Sequence, residues 1–114
     1  MIEASCHCGA VRLAVETAPA EVNDCTCSIC RRLGTLWAYY EAPQVRFAEG
    51  NGPTDTYVWN KRVLAFHRCR GCGCVTHWRA TAPVWAEGRM GVNARLFEPE
   101  VLAGARRLVN GAAG

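Results

Sequence analysis

Three close groups of cysteines constrain this 114-residue chain more than any other feature. The groups are Cys6-His7-Cys8, Cys25-Thr26-Cys27-Ser28-Ile29-Cys30 and Cys69-Arg70-Gly71-Cys72. Such short spacings are typical of metal ligands, whereas disulfide frameworks belong mainly to secreted domains. The N-terminal residues 1–5 lack the basic and apolar segments of a secretory signal. We therefore expect a cytoplasmic protein with reduced, metal-binding thiols, although the even cysteine count leaves a disulfide-rich fold as an alternative.

The first and last groups together predict a closed structural zinc site. Cys6 and Cys8 would present two sulfurs to one side of an extended segment, because residues two apart on a strand share a face. Cys69 and Cys72 flank a glycine-containing stretch that is suited to a tight turn. Two sulfurs from each pair give the tetrahedral arrangement of structural zinc, which makes these four cysteines the expected ligands. Metal binding would then join distant segments of a small core.

The middle group offers one ligand fewer. Cys25, Cys27 and Cys30 place three thiolates at a strand end and in the first turn of a helix, with no fourth ligand nearby. Zinc sites that do chemistry commonly keep three protein ligands and an open position, and a thiolate-rich site suits an external thiol. We therefore expect a second, catalytic zinc here, which makes two zinc ions per chain. Arg31 and Arg32 follow directly, and they either bind a carboxylate of the thiol substrate or are solvated helix residues.

Several other residues leave alternatives open. Cys74 either completes a second four-cysteine site, which would make both metals structural, or is a small apolar residue on a strand. His67 and His77 are candidate acids because histidine titrates near neutrality, although a core or surface position is the commoner case. His7, between two ligands, is expected to point away from the metal. Most large aromatic residues are assigned to the core or to a pocket wall: Trp37, Tyr39, Tyr40, Trp59, Trp78 and Trp85.

Short segments of alternating polarity predict a mainly β domain with one or two short helices. One helix is expected over 28–33, with Ser28 as its N-cap and Gly34 as its terminator, and another turn or two over 98–104. We expect a single domain over residues 1–110 and a flexible tail over 111–114. Strands are expected at 11–15, 36–41, 45–47, 54–59, 63–67, 74–79 and 107–109.

Charge and hydropathy narrow the classes of partner. The formal net charge is +3, and the sequence contains no dense basic run of the kind that favours nucleic acid. No stretch approaches the roughly 20 apolar residues that a membrane-spanning helix needs. Nucleic acid and membrane are therefore not expected as partners, and the thiolate-rich middle group favours a small thiol. The oligomeric state is left open, with a homodimer as one option.

The cysteine motifs resemble those of the glutathione-dependent formaldehyde-activating enzyme family, which also includes the centromere protein V group. The resemblance rests on residues 5–12, 25–32 and 66–73, and it extends into 91–96. It implies a β-tent fold, which is a twisted, mainly antiparallel β domain with zinc sites at its edge. It also implies that the first and last cysteine groups form a structural zinc site and that the middle group forms the catalytic one.

The same resemblance implies a zinc-dependent carbon–sulfur lyase. The reaction for which the family is named joins formaldehyde and glutathione to give S-hydroxymethylglutathione. We therefore expect an enzyme that acts on an adduct of a small aldehyde with glutathione or another thiol. The main alternative is a zinc- or thiol-binding module without turnover. The centromere-associated branch suggests another alternative, a nucleic-acid or cytoskeletal adaptor. Such an adaptor would need a contiguous basic face, which the scattered arginines do not indicate.

Overall fold

Short β-strands form most of the regular structure in this computed structural model, which describes residues 1–59, 63–81 and 88–110. The mainly β architecture expected from the sequence is confirmed. Two short helices, α1 (Cys30–Leu33) and α2 (Pro99–Leu102), lie among the described residues, with 3-10 turns at Ala42–Gln44 and Ala94–Leu96. The strands are β1 (Ile2–Ser5), β2 (Arg12–Val15), β3 (Glu21–Cys25), β4 (Trp37–Glu41), β5 (Val45–Phe47), β6 (Thr54–Trp59), β7 (Leu64–Cys69), β8 (Val75–Ala80), β9 (Arg89–Asn93) and β10 (Arg106–Asn110).

The strands form two sheets. The smaller sheet has the order β1-β2-β5, and the larger has the order β10-β3-β4-β9-β8-β7-β6. Neighbouring strands are antiparallel except β3 and β10, which run parallel with Arg106 opposite Glu21. This pair departs from the expected antiparallel pattern because β10 follows α2 and enters the sheet beside the start of β3. The Arg106 backbone N–H donates to the Ala20 carbonyl at 2.9 Å and fixes that entry point.

The main core lies between the two sheets. Alternating residues of β2 place Leu13 and Val15 inward, as the period-two pattern predicts. They belong to one buried cluster with Ala38 of β4 and Val92 of β9. Val15, Ala38 and Val92 each have 0% exposed surface, so this face of the large sheet is closed to solvent and to substrate.

The opposite face of the large sheet carries a row of aromatic side chains, which we call the aromatic face. Residues that are directly opposite one another on paired strands point to the same side of a sheet. Asn23 lies opposite Trp37 and Tyr39 opposite Gly91, while Trp78 lies opposite both Gly91 and Phe66. The aromatic face is therefore defined by these side chains: Asn23, Trp37, Tyr39, Phe66 and Trp78.

Helix α1 starts one residue later than a Ser28 cap would require. Its N-cap is Ile29, and no side chain of that residue caps the helix. The Cys27 sulfur instead accepts a hydrogen bond from the Cys30 backbone N–H at 3.4 Å, so a thiol takes the place of the expected serine hydroxyl. Gly34 ends the helix in the left-handed region at φ 71°, as predicted.

The other predicted elements agree with the structure to within one or two residues, but β1, β3 and β9 were not predicted as separate strands. Trp85 and the expected tail at 111–114 lie outside the described residues. In the described part of the chain, neither helix has the length or apolar character needed to cross a bilayer.

Candidate metal centres

The four-cysteine cluster forms where the C-terminal ends of β1 and β7 meet, and it consists of Cys6, Cys8, Cys69 and Cys72. Cys6 follows β1 and Cys8 lies in a turn, so the expected extended segment is wrong. The Gly9 backbone N–H donates to the Cys6 carbonyl at 3.2 Å, and Gly9 takes a positive φ of 82° that closes this turn. In the turn, the chain bends and brings the two sulfurs together. In a strand, they would instead share a face because side chains alternate between the two sides.

The sulfur spacing in the four-cysteine cluster matches a tetrahedral metal site. The ligand atoms of all four residues lie within 4.8 Å of one another. The Cys6 and Cys8 sulfurs are 3.7 Å apart, and those of Cys8 and Cys69 are 3.6 Å apart. A tetrahedron with zinc–sulfur bonds of about 2.3 Å has edges of about 3.8 Å. The cluster could therefore hold a metal ion, and its dimensions are consistent with zinc.

Backbone N–H groups point at the sulfurs of this cluster. The Val11 N–H donates to the Cys6 sulfur at 3.3 Å. Hydrogen bonds from the backbone N–H groups of Cys74 and Cys8 lower the pKa of Cys72 to about 5. The Ala10 backbone N–H acts to lower the pKa of Cys8, but the Cys69 and Cys6 thiols raise it to about 11. Since a metal binds the thiolate, a cation would be needed for all four groups to ionise together.

Cys74 belongs beside the four-cysteine cluster and not beside the middle group. It is half-buried, immediately precedes β8 and packs in one cluster with Cys6, Val11 and Cys69. The suggestion that Cys74 completes a second four-cysteine site is therefore wrong. The structure has the eight cysteines as free thiols. The exposed position of His7 agrees with the expectation that it points away from a metal.

Cys25, Cys27 and Cys30, the three-cysteine cluster, gather where β3 passes into α1. Cys25 is the last residue of β3 and Cys30 is the first of α1, with Cys27 in the bend between them. All three are buried, and their sulfurs lie within 4.8 Å of one another. No fourth histidine, cysteine or carboxylate joins the group among the described residues. This cluster could hold a metal ion with three protein ligands.

The three thiols have different electrostatic surroundings. Burial alone would raise the pKa of Cys27, but the backbone N–H groups of Cys30 and Ile29 lower it overall. Burial raises the pKa of Cys30, although the Trp37 indole N–H donates to its sulfur at 3.3 Å. Negative charge on Cys25 and Cys27 raises it further. Three thiolates so close together therefore need a cation, which is the role of a bound metal.

An apolar shell surrounds the three-cysteine cluster. Trp37, Phe66 and Trp78 are buried with the three cysteines, and the Trp37 and Phe66 ring centroids are 5.9 Å apart. The Trp78 indole lies close against Gly91, because a Cβ built on that glycine would fall 2.0 Å from the indole nitrogen. Such surroundings keep water away from the sulfurs on this side and strengthen electrostatic interactions.

The two arginines that follow Cys30 lie on the exposed surface of α1. The Arg32 guanidinium donates to the Ser28 carbonyl at 2.7 Å, so it partly stabilises its own helix. The Arg95 guanidinium donates to the Gly34 carbonyl at 2.6 Å and holds the other end of the helix. Arg31 and Arg32 follow Cys30 directly in α1, and both are exposed.

His67 and His77 lie on the core-facing side of the large sheet, away from the three-cysteine cluster. His77 is opposite Val92 in the register, and its ring packs 4.7 Å from that of Phe47. The two histidine rings stack with centroids 4.2 Å apart. Burial lowers the pKa of His77 to about 3. The structure therefore does not support either histidine as the acid at that cluster.

The sequence reasoning assigned Trp37 and Tyr39 to the core or to a pocket wall, and both do line a pocket, but it did not single out Asn23. The Asn23 side-chain amide donates to the Tyr39 hydroxyl at 2.7 Å. A cavity of about 350 Å³ opens beside them and is lined in part by all three residues. The sequence signal that could have linked them is a separation of two residues, which places both members of a pair on one face of a strand. Asn23 precedes Cys25 by two positions, and Tyr39 follows Trp37 by two.

Comparisons with known proteins agree with this arrangement. Residues 1–102 match the family model described as glutathione-dependent formaldehyde-activating enzyme. The fold is also similar to the crystal structure of a Rhodobacter sphaeroides protein, with 30% sequence identity and a TM-score of 0.73. That match covers 93% of this chain and 99% of the other. The chain therefore belongs to the glutathione-dependent formaldehyde-activating enzyme family.

Proposed function

We propose that the protein is a zinc-dependent enzyme of the carbon–sulfur lyase type that interconverts a small aldehyde and a thiol with their S-hydroxyalkyl adduct. Formaldehyde and glutathione are the proposed substrates, since the matching family model is named for them. The observation that supports this proposal most directly is the three-cysteine cluster. It gathers three buried thiols within 4.8 Å and, among the described residues, has no fourth side-chain ligand.

The two clusters have different proposed roles, with one zinc ion in each. Cys6, Cys8, Cys69 and Cys72 would hold a structural ion, because four sulfurs fill a tetrahedral site. Cys25, Cys27 and Cys30 would hold the catalytic ion, as the residues that ligate it. Zinc bound there supplies an open position that favours the thiolate form of the substrate sulfur.

The residues around the three-cysteine cluster hold the substrate and exclude water. The Trp37 indole and the Cys30 backbone N–H donate to cluster sulfurs and disperse their negative charge. The buried rings of Phe66 and Trp78 exclude solvent from one side. We propose that Arg31 and Arg32, which are exposed and directly follow the ligand Cys30, bind a carboxylate of the thiol substrate.

Rate measurement on the zinc-loaded protein tests the enzymatic proposal. Exchange NMR with ¹³C-formaldehyde and glutathione reports adduct formation and breakdown at equilibrium, and the rate without protein is subtracted. We expect clear acceleration by the wild type, which Cys27→Ser abolishes because it removes a ligand of the three-cysteine cluster. Cys74→Ser is the matched control, since Cys74 is a thiol outside that cluster, and it should retain the rate.

Metal analysis separates the enzyme from a binding module. We expect two zinc ions per chain, one of which a chelator removes more readily and glutathione protects. Glutathione-protected zinc without acceleration would instead identify a thiol-binding module. Two equally inert ions that are indifferent to glutathione would contradict an open thiol-binding site and support a structural role for both.

A further inference from the structure

Tyr39 places a phenol on the aromatic face beside the three-cysteine cluster. Its neighbour on the same face of β4 is Trp37, whose indole N–H reaches the Cys30 sulfur. Across the sheet, Asn23 lies opposite Trp37 and two residues before Cys25. The phenol is therefore linked through Asn23 to β3, the strand that ends at Cys25, and it lines the cavity of about 350 Å³.

Two contacts hold the Tyr39 ring in place. The Asn23 amide nitrogen donates to the phenol oxygen at 2.7 Å. The ring also meets Trp78 edge-on, with centroids 6.1 Å apart and planes at 60°. Because Asn23 is the donor in the first contact, the phenol hydrogen is left available for another acceptor. Tyr39 nevertheless keeps 46% of its surface exposed, so a small molecule can reach it.

The surroundings of Tyr39 also keep the phenol protonated. Burial raises its pKa, against a smaller lowering by the hydrogen bond from Asn23. The Asn23 amide oxygen is buried and has no hydrogen-bond partner among the described residues.

We propose that Tyr39 is a catalytic residue of the proposed reaction and that its phenol donates the proton to the aldehyde oxygen. This inference rests on the proposed function. As the thiolate sulfur forms its bond to the carbonyl carbon, the carbon–oxygen π bond breaks and its electron pair moves to oxygen. The phenol proton passes to that oxygen and completes the hydroxyl group of the adduct. The phenolate then regains a proton from water, which has taken up the proton lost by the thiol.

Adduct breakdown follows the same path in reverse. The Tyr39 phenolate accepts the hydroxyl proton, the carbon–oxygen double bond re-forms, and the carbon–sulfur bond breaks to release thiolate. Asn23 and Trp78 act as positioning residues, because they contact the phenol and not the reacting atoms. The role explains why a half-exposed tyrosine is fixed on two sides.

Tyr39→Phe tests the proposal, because it removes the hydroxyl group and keeps the ring that packs on Trp78. We expect kcat to fall about ten- to a hundredfold. General acid catalysis typically contributes about a hundredfold or more, so the expected fall lies at the lower end of that effect. KM for glutathione, its affinity measured by calorimetry and the zinc content should stay at the wild-type values. Tyr57→Phe is the matched control, since Tyr57 is also half exposed on the large sheet, and it should leave kcat unchanged.

The outcomes separate this inference from the proposed function. A wild-type acceleration that Tyr39→Phe leaves intact overturns the role of Tyr39 and leaves the enzymatic proposal standing. A fall in kcat accompanied by loss of zinc or of glutathione affinity also overturns it, because the hydroxyl group would then be structural. No acceleration by the wild type overturns both proposals.

Discussion

Replacing Gly91 with alanine would place a methyl group where the Trp78 indole lies. A Cβ at this position would be 2.0 Å from the indole nitrogen and 2.6 Å from two ring carbons. Ordinary contact begins at 3.4 Å, so the ring would have to move by about 1.4 Å. Trp78 is 8% exposed and packs against Tyr39 and Phe66, so a rigid ring has little room to retreat.

The expected loss of stability follows from two opposing effects. Overpacking of this kind typically costs about 1–3 kcal/mol. Alanine in a strand recovers about 0.5–1 kcal/mol relative to glycine, because the unfolded chain is less flexible. We expect a net loss of about 1–2 kcal/mol, which lowers Tm by roughly 4–12 °C for a domain of this size.

Thermal unfolding in excess zinc measures this change, and a double-mutant cycle assigns it to Trp78. In a Trp78→Ala background the obstacle is gone, and Gly91→Ala should become neutral or slightly stabilising. Gly104→Ala is the control, because a Cβ there meets no atom within 4 Å, and its effect should stay within about 0.5 kcal/mol. An equal loss in both backgrounds would refute the reasoning, since the cost would then arise in the backbone.

Three further changes test other contacts. Trp37→Phe removes the N–H that donates to the Cys30 sulfur, and a chelator should extract the more labile zinc several-fold faster, measured with a colorimetric zinc indicator. His77 has a pKa lowered by burial to about 3, so the unfolded state takes up its proton first as pH falls below about 6.5. Between pH 7.5 and 5.5 the wild type should lose about 1.4 kcal/mol more than His77→Gln in urea unfolding, and parallel curves would contradict this. Arg107→Ala breaks an exposed ion pair with Asp24 and should cost less than about 1 kcal/mol by the same method.

The cysteine clusters could be predicted because their information is local. A metal-binding turn can be recognised from two cysteines and the glycines between or after them. Gly73 takes a positive φ of 81° in the turn after Cys69. The Gly73 backbone N–H closes that turn on the Cys69 carbonyl at 2.8 Å. The prediction that Cys6 and Cys8 share an ion with Cys69 and Cys72 came from the four ligands that a tetrahedral ion needs. The sulfur distances agree with that prediction.

The strands that were missed have sequences whose role depends on distant partners. β3 contains Asn23 and Asp24, which disfavour strands, and its regular structure relies on pairing with β10. β9 contains Gly91 in its centre, which weakens a strand by propensity but leaves space for the Trp78 indole. Neither reason is visible until the partner strand is in place.

The local sequence also could not predict on which face of the sheet His67, His77 and Tyr39 lie. Register decides which side of a sheet a residue occupies, and a shift of one residue reverses it. An irregularity in the pairing of β7 and β8 occurs between His67 and Arg68. The pattern around His67 therefore could not show that it stacks on His77 towards the core. The register opposite Gly91 likewise decides that Tyr39 lies on the aromatic face.

The pairing of β3 with β10 also has a consequence for the order of events during synthesis. Asp24 and its partner Arg107 are 83 residues apart, so at about 5–20 residues per second they leave the ribosome several seconds apart. The three-cysteine cluster needs residues from a single short stretch, whereas the four-cysteine cluster must wait for a contact spanning 61 residues. The nascent chain can thus take up its first metal ion at the three-cysteine cluster before the strand that borders it has its final neighbour.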